Sequence, residues 1–151
     1  MPLWTRQFTL ADLNAIGEKT ASEYFGIQYT AIGDNWIEAT MPLGARTRNG
    51  EGTLHPGALG ILAETIGSVA ASLCIDLSRQ VCLGQILHVN HPGPIHSAPL
   101  LARASPVSIL PETHVWNVEI KDPSGAIVCV ARLTMVVLER TEQSASYSRA
   151  G

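Results

Sequence analysis

The most apolar stretch of this chain contains a single carboxylate. From Gly57 to Ile75 the sequence reads GALGILAETIGSVAASLCI, and Glu64 is its only ionisable side chain apart from the thiol of Cys74. The stretch is long enough for a helix of about five turns and is small or apolar on every face, so we expect it to be buried all round. An unpaired carboxylate is costly in such a place. Glu64 must therefore be paired, be neutral or do chemistry, which makes it the first candidate for function.

Composition excludes several classes of protein. The chain has 151 residues, one domain's length, and its net charge of −3 argues against a nucleic-acid binder. The N-terminal sequence lacks the layout of a signal peptide, and Glu64 argues against a membrane span. Cys74, Cys82 and Cys129 have no metal-ligand spacing, so we expect reduced thiols in a cytoplasmic protein and no metal site.

Hydrophobic patterning predicts one long helix between two groups of strands. Two short helices are expected first, one of them capped by Thr9, and a polar, glycine-rich loop at 44–53 precedes the long helix. Strands are predicted at 27–32, 36–42, 81–89, 100–110, 114–121 and 127–138. Segregated strands favour an α+β fold, with a curved antiparallel sheet wrapped around one central helix. We expect one domain over 1–138 and a polar, disordered tail over 139–151.

This order of elements, with LHPGALGILAETIGS opening the long helix, resembles the hotdog-fold thioesterases. The most similar branch contains the 4-hydroxybenzoyl-CoA and 1,4-dihydroxy-2-naphthoyl-CoA thioesterases, PaaI-like proteins and the enterobactin-pathway proofreading enzyme. The similarity runs over 4–138 and includes FTLADLNA, the MPLGARTRNG loop and the final VCVARLTMVVL strand. It implies the hotdog fold and hydrolysis of a small aryl- or acyl-CoA thioester, or of an acyl group on a carrier protein.

The resemblance also implies roles for individual residues. Glu64 would be the general base or the nucleophile, while His55 and Asn49 would polarise or orient the thioester carbonyl. Ser68, one turn beyond Glu64, would position substrate or water. Apart from the resemblance, His91 follows the end of a predicted strand, where it could line the acyl pocket or serve only in strand-end packing. Coenzyme A would enter only as part of the substrate, with no other cofactor. The family forms its sites across a homodimer interface, and dimers pair into homotetramers.

Three positions depart from the family pattern. Asn49 stands where the family has Gln, and Pro56 stands where a Gly donates its N–H to the carbonyl oxygen; proline has no N–H. The sequence Leu110-Pro111 falls in the stretch where members show a Gly-Arg pair that serves coenzyme A. We hypothesise that the free N–H of Gly57, or the side chain of His55 or Asn49, takes over the oxyanion role, with Pro56 and Gly57 lining the substrate site.

Three arginines could contact the phosphates of coenzyme A. The candidates are Arg46, Arg48 and Arg132, with solvated surface charges as the alternative.

The departures at Pro56 and Leu110 leave two functions other than thioester hydrolysis open. One is a hotdog lyase, dehydratase or isomerase that acts on a non-CoA carbonyl compound. The other is a catalytically degenerate scaffold that binds a small aromatic or acyl ligand.

Three of the site residues also have a purely structural role as an alternative to a catalytic one. Glu64 could accept hydrogen bonds from a helix N-terminus of a partner subunit, and His55 could serve only as a helix cap. Ser68 could bond to the backbone carbonyl four residues earlier, which is that of Glu64.

Overall fold

Three helices and six strands follow one another in the expected order along residues 3–141, the part of the chain that the computed structural model describes. The helices are α1 (Leu10–Ile16), α2 (Ala21–Tyr24) and α3 (Pro56–Ser72). The strands are β1 (Gln28–Ile32), β2 (Ile37–Met41), β3 (Gln80–Asn90), β4 (Leu100–Ile109), β5 (Thr113–Lys121) and β6 (Ile127–Glu139). The predicted elements are therefore all present, with shifts of a few residues at their ends.

The strands form one antiparallel sheet in the order β1-β2-β4-β5-β6-β3. Between β2 and β3 the chain passes through α3, which packs against β2 to β6 and delivers the chain to the far edge of the sheet. This arrangement of one sheet around one central helix confirms the α+β hotdog fold. It also leaves β3 as an edge strand beside the helix.

The alternating burial of residues along β5 shows which face of the sheet packs in the core. Trp116, Val118 and Ile120 are fully buried, whereas the residues between them are half-buried. Successive side chains of a strand point to opposite faces, so the predicted apolar face is the one that packs on α3.

The C-terminal end of α3 lies earlier than its sequence suggests. The helix ends at Ser72 rather than Ile75, and the carbonyl of Leu73 accepts hydrogen bonds from Thr5. The Thr5 N–H donates at 2.9 Å and its hydroxyl at 3.0 Å. The last carbonyl groups of a helix need hydrogen-bond donors from outside it. Thr5 supplies these donors to the Leu73 carbonyl, which would otherwise accept from the N–H groups of a longer helix.

The expectation that α3 is buried on every face is wrong for the single chain. One side packs on the sheet through fully buried residues such as Leu62 and Ile66. Another side, which we call the uncovered stripe, is only half-buried. Its residues are Gly60, Ile61, Glu64, Thr65, Ser68 and Val69. A single sheet covers one side of a helix, so these small and apolar residues are left without a layer above them.

Glu139, predicted as the first residue of the disordered tail, is still part of a strand. Strand β6 continues through Glu139, whose carboxylate accepts a hydrogen bond from Gln80 at 3.0 Å. The rest of the predicted disordered tail, from 142 onward, lies outside the described residues. No helix within 3–141 has the length and apolar character needed to cross a membrane.

Candidate active site

Asn49 closes the loop before α3 with its own side chain. Its Oδ1 atom accepts hydrogen bonds from the backbone N–H groups of Glu51 at 3.0 Å and Thr53 at 3.1 Å. Its Nδ2 atom donates to the Thr53 hydroxyl at 2.9 Å. Such local bonding is the usual role of Asn in turns. The amide therefore orders the loop, and one of its two N–H groups has no acceptor within residues 3–141.

His55 is the N-cap residue of α3. Its backbone is extended, with φ −69° and ψ 125°, and its Nδ1 atom accepts a hydrogen bond from the Gly57 N–H at 2.9 Å. A ring nitrogen that accepts a hydrogen bond carries no proton, so in the neutral imidazole the proton is on Nε2. His55 is exposed in the single chain and thus offers one N–H donor to a ligand.

The first turn of α3 has no free N–H group to offer an oxyanion. Pro56 is the first helical residue and lacks an N–H, and the Gly57 N–H is bonded to His55. The Ala58 N–H donates to the His55 carbonyl at 2.9 Å. The expectation of a free Gly57 N–H is therefore wrong, because His55 uses it to cap the helix. The remaining donors are the Nε2–H of His55 and the second N–H of Asn49.

Glu64 is paired with a hydroxyl group rather than with a cation. The Ser68 hydroxyl donates to Glu64 Oε1 at 2.9 Å and lies 3.8 Å from the sulfur of Met135. Residues four apart on a helix lie one above the other, so the spacing of the two residues places them in contact. The alternative bond from Ser68 to the Glu64 backbone carbonyl is not formed. Glu64 Oε2 has no hydrogen-bond partner among the described residues, so it is available to water or substrate.

One residue next to this carboxylate was not predicted from the sequence. Gly84, on β3, lies directly against Glu64, so closely that a Cβ atom there would overlap Oε1. A lone glycine inside a strand often marks a bulge or a close approach of another group, and that was the available signal.

No hydrogen bond joins the two halves of the predicted site within residues 3–141. His55 and Asn49 lie at the N-terminal end of α3, whereas Glu64 is seven residues beyond Gly57. At a rise of 1.5 Å per residue, the Cα atom of Glu64 lies about 10 Å further along the helix axis than that of Gly57.

A cavity of about 260 Å³ joins several of the predicted substrate-binding residues. Asn49, Pro56 and His91 line it together with apolar side chains such as Leu59 and Ile95. The cavity therefore lies at the His55 end of α3. It brings together three positions that are separated by up to about forty residues in the sequence.

The three candidate arginines lie in different places. The Arg46 guanidinium lies 4.6 Å from the Tyr24 ring centroid and donates to the Tyr24 carbonyl, and Arg48 is exposed in the same loop. Arg132, on β6, lies opposite His88 of β3 in the strand register. Its side chain points to the sheet face away from α3, because Ala131 and Leu133 on either side of it are fully buried on the α3 face.

Leu110 lies in the stretch where the resemblance implies a Gly-Arg pair. Leu110 closes the hairpin between β4 and β5, donating from its N–H to the Thr113 carbonyl at 2.9 Å, and its side chain is exposed.

Comparison with known proteins places this chain in one family. The profile of the Thioesterase superfamily matches residues 51–129, which include α3 and most of the sheet. The 1,4-dihydroxy-2-naphthoyl-CoA hydrolase of Escherichia coli is 38% identical over 136 residues, which are 90% of this chain and 99% of that protein.

Two solved structures support the same assignment over nearly the whole fold. A thioesterase from Haemophilus influenzae has a TM-score of 0.87 and 39% identity, covering 91% of this chain and 95% of its own. A mutant thioesterase from Pseudomonas aeruginosa has a TM-score of 0.89 and 36% identity, covering 91% and 99%. With the antiparallel sheet, the central helix and an acid at its middle, these matches show that the chain belongs to the hotdog-fold thioesterase superfamily.

Proposed function

We propose that this protein hydrolyses the thioester of a small aryl- or acyl-CoA, or of an acyl group on a carrier protein. The observation that carries the proposal is the Glu64 carboxylate, which sits on the uncovered stripe with Oε1 held by Ser68 and Oε2 unpaired within residues 3–141. Relatives named as thioesterases and as an acyl-CoA hydrolase support the reaction class. No cofactor takes part, and coenzyme A enters as part of the substrate.

The reaction can proceed through Glu64 in two ways. As a general base, Glu64 takes a proton from water while the water oxygen bonds to the carbonyl carbon. The tetrahedral intermediate then re-forms its C=O bond, breaks the C–S bond and releases a thiolate that takes up the proton. As a nucleophile, Glu64 itself displaces the thiolate, and water cleaves the resulting mixed anhydride.

His55 is the proposed stabiliser of the negative oxygen that forms on the carbonyl. Its Nε2–H is a directed donor, because Nδ1 is held by Gly57. Donors aimed at the oxyanion are the groups that matter most in acyl transfer. In this proposal Pro56 removes the backbone donor, Gly57 orients His55, and the second N–H of Asn49 assists.

We propose that each site combines the His55 end of one copy with Glu64 of a second copy. The axial rise of about 10 Å between the first turn of α3 and Glu64 supports this division, since it places the two groups at different levels of the same helix. The edge position of β3 and the uncovered stripe beside it support a dimer that pairs at this edge. The half-exposed Leu83 and Ile86 on β3 face away from α3 and add apolar surface on the outer face of the sheet.

Exposed Val130 and Leu138 on the outer face of the sheet support the pairing of dimers into a homotetramer. Arg46, Arg48 and Arg132 remain the proposed contacts for coenzyme A phosphates, and His91 a lining residue of the acyl pocket.

A cytoplasmic setting is supported by the cysteines, which are all free. Burial raises the pKa of Cys74 to about 12, and the pKa values of Cys82 and Cys129 to about 11.

The experiment that tests the proposal is a thiol-release assay on a panel of aryl- and acyl-CoA substrates. We expect turnover by the natural protein and a loss of at least about 10³-fold in kcat for Glu64→Gln, because the amide neither accepts the proton nor attacks. Glu119→Gln, on the opposite face of the sheet, is the matched control and keeps its rate.

Two outcomes of this assay would replace the proposal. Formation of a double bond without release of a thiol would indicate a hotdog lyase or dehydratase. A thermal shift with acyl-CoA, without any product, would indicate a binding protein that has lost turnover.

A further inference from the structure

Gly84 meets the carboxylate of Glu64 at the edge of the sheet. A Cβ atom built on Gly84 would overlap Glu64 Oε1, and would lie 3.1 Å from Cδ and 3.3 Å from Oε2. All three atoms of the carboxylate group therefore lie over the backbone of β3 at this one residue. The space that a side chain would normally fill on the inner face of the strand is occupied by the carboxylate of another element.

A β-bulge surrounds this contact. Gly84 pairs with Met135 and Ile86 pairs with Thr134 on β6, so Gln85 is an extra residue between them. Bulges bend a strand locally and are frequent next to active sites. Because of the bulge, Gly84 and Leu87 both face α3, although three positions separate them along the strand.

The backbone at this position does not itself require glycine. The glycines with positive φ among the described residues are Gly26, Gly52 and Gly125, and Gly84 is not one of them. An alanine could adopt the same backbone conformation without strain. What excludes a side chain at Gly84 is the carboxylate, which is the far end of a flexible side chain and can move.

Two contacts together determine where the carboxylate can stand. The Ser68 hydroxyl holds Oε1 at 2.9 Å, and the bare backbone of Gly84 lets that same oxygen lie close to β3. Cδ and Oε2 also lie within 3.3 Å of the position of a Cβ on Gly84, so the orientation of the whole carboxylate depends on this space. A methyl group at residue 84 would push Oε1 away from β3 and would turn Oε2 from its place.

We infer that Gly84 is a positioning residue, whose missing side chain sets the location of the Glu64 carboxylate for attack on the substrate. The inference rests on the proposed function, since it assigns Gly84 a role in the reaction of Glu64. Gly84 touches no reacting atom of the substrate and acts only through Glu64.

The experiment compares Gly84→Ala in the natural protein and in a Glu64→Asp background. Displacement of a catalytic group by about 1 Å can cost on the order of 10²-fold, so we expect kcat of Gly84→Ala to fall at least about 30-fold with little change in KM. The Asp side chain is one methylene shorter and withdraws from β3. In that background we expect the same alanine to change kcat less than about threefold, a coupling expected of two residues in contact.

Gly44→Ala is the matched control. Gly44 lies in the loop before α3, outside the proposed dimer surface, its φ is not positive, and a Cβ there would meet no heavy atom within 4 Å. We expect this variant to keep the natural kcat. Melting temperature and molar mass are measured for every variant, because β3 is also the proposed dimer edge. Gly84→Ala is expected to retain both.

Two results would overturn the inference: a kcat of Gly84→Ala within about threefold of the natural value, or equal losses in both backgrounds. A failure of the proposed function gives a different result, since the natural protein and Glu64→Gln would then release thiol equally or not at all. In that case a crystal structure of Gly84→Ala tests whether residue 84 controls the position of the carboxylate. A carboxylate displaced by about 1 Å supports the steric control by Gly84, and an unmoved carboxylate refutes it.

Discussion

The imidazole of His55 performs two tasks with its two nitrogen atoms. Nδ1 accepts from the Gly57 N–H and thereby caps α3, while the opposite nitrogen is left to donate to a ligand. The two tasks can be separated by substitution, because a serine hydroxyl caps a helix as well as an imidazole does but cannot reach as far. This separation distinguishes a structural histidine from one that also serves the reaction.

We predict that His55→Ser and His55→Ala lose activity equally but differ in stability. Both should lower kcat/KM by about 10²–10³-fold, the usual cost of removing one oxyanion donor. Only His55→Ala should lower the free energy of unfolding, by about 1 kcal/mol, because only it removes the cap. Thiol-release kinetics and urea unfolding measure the two quantities. Natural kcat/KM in His55→Ser would leave His55 as a cap alone.

The residue types of the site were predictable from the sequence, but the partners of their polar atoms were not. An acid within an apolar helix stands out, and so does a histidine immediately before a helix that begins with proline. The bond from Gly57 to His55 depends on the rotamer of one ring, and the contact of Gly84 with Glu64 depends on how two distant segments pack. Neither is encoded in local sequence spacing.

At the scale of elements, α3 and β3 together form the surface on which the proposed dimer depends. The half-buried stripe of α3 and the unpaired edge of β3 are adjacent, and both carry small or apolar residues. A strand edge of this kind is a template for pairing with another chain. A second copy placed there would bring its own His55 toward Glu64 of the first.

We predict that two inactive variants restore activity when they share a dimer. A mixed dimer of His55→Ser and Glu64→Gln has one site with both natural residues and one site with neither. Random re-pairing of equal amounts should give about one quarter of the natural activity, because half of the dimers are mixed and each has one intact site of two. Co-refolding followed by the thiol-release assay measures this value.

The outcome of mixing separates the two possible site architectures. If both groups acted within one chain, every site would contain one substituted residue and the mixture would stay inactive. Equal mixing of natural protein with Glu64→Gln is the control, and it should retain about half of the natural activity because each natural chain brings one intact Glu64.

The elements themselves were largely predictable, whereas the order of the strands was not. The alternation of Trp116, Val118 and Ile120 identifies β5 and its buried face directly. The edge position of β3 follows from its pairing with β6, about fifty residues later in the chain. Such pairing is decided by tertiary packing, so only the resemblance to a known family anticipated the sheet.

At the scale of the whole molecule, one buried histidine ties stability to pH. His114 is 2% exposed on β5, its cross-strand neighbours are Ile109 and Met135, and its Nδ1 atom has no partner within residues 3–141. Burial lowers the pKa of His114 below its ordinary 6.5. The unfolded chain therefore binds a proton at a higher pH than the folded protein does.

We predict that the free energy of unfolding decreases as the pH falls below about 6.5, with His114 contributing at most about 1.4 kcal/mol per pH unit. Above that pH the histidine is neutral in both states and has no effect. Urea unfolding of the natural protein and of His114→Gln at pH 7.5 and pH 5 tests this. The variant should lose less stability between the two pH values, and equal losses would contradict the assignment to His114.

The rigidity of α3 has a consequence for which changes of length the protein can accept. In a two-copy site, each α3 contributes its first turn to one reaction centre and its middle to the other. The length of the helix between these points therefore fixes the distance between the two centres. One residue inserted between His55 and Glu64 would rotate the acid by about 100° and disable both centres together. The polar loop ahead of the helix carries no such constraint until Asn49, and length variation among homologous sequences should be confined there.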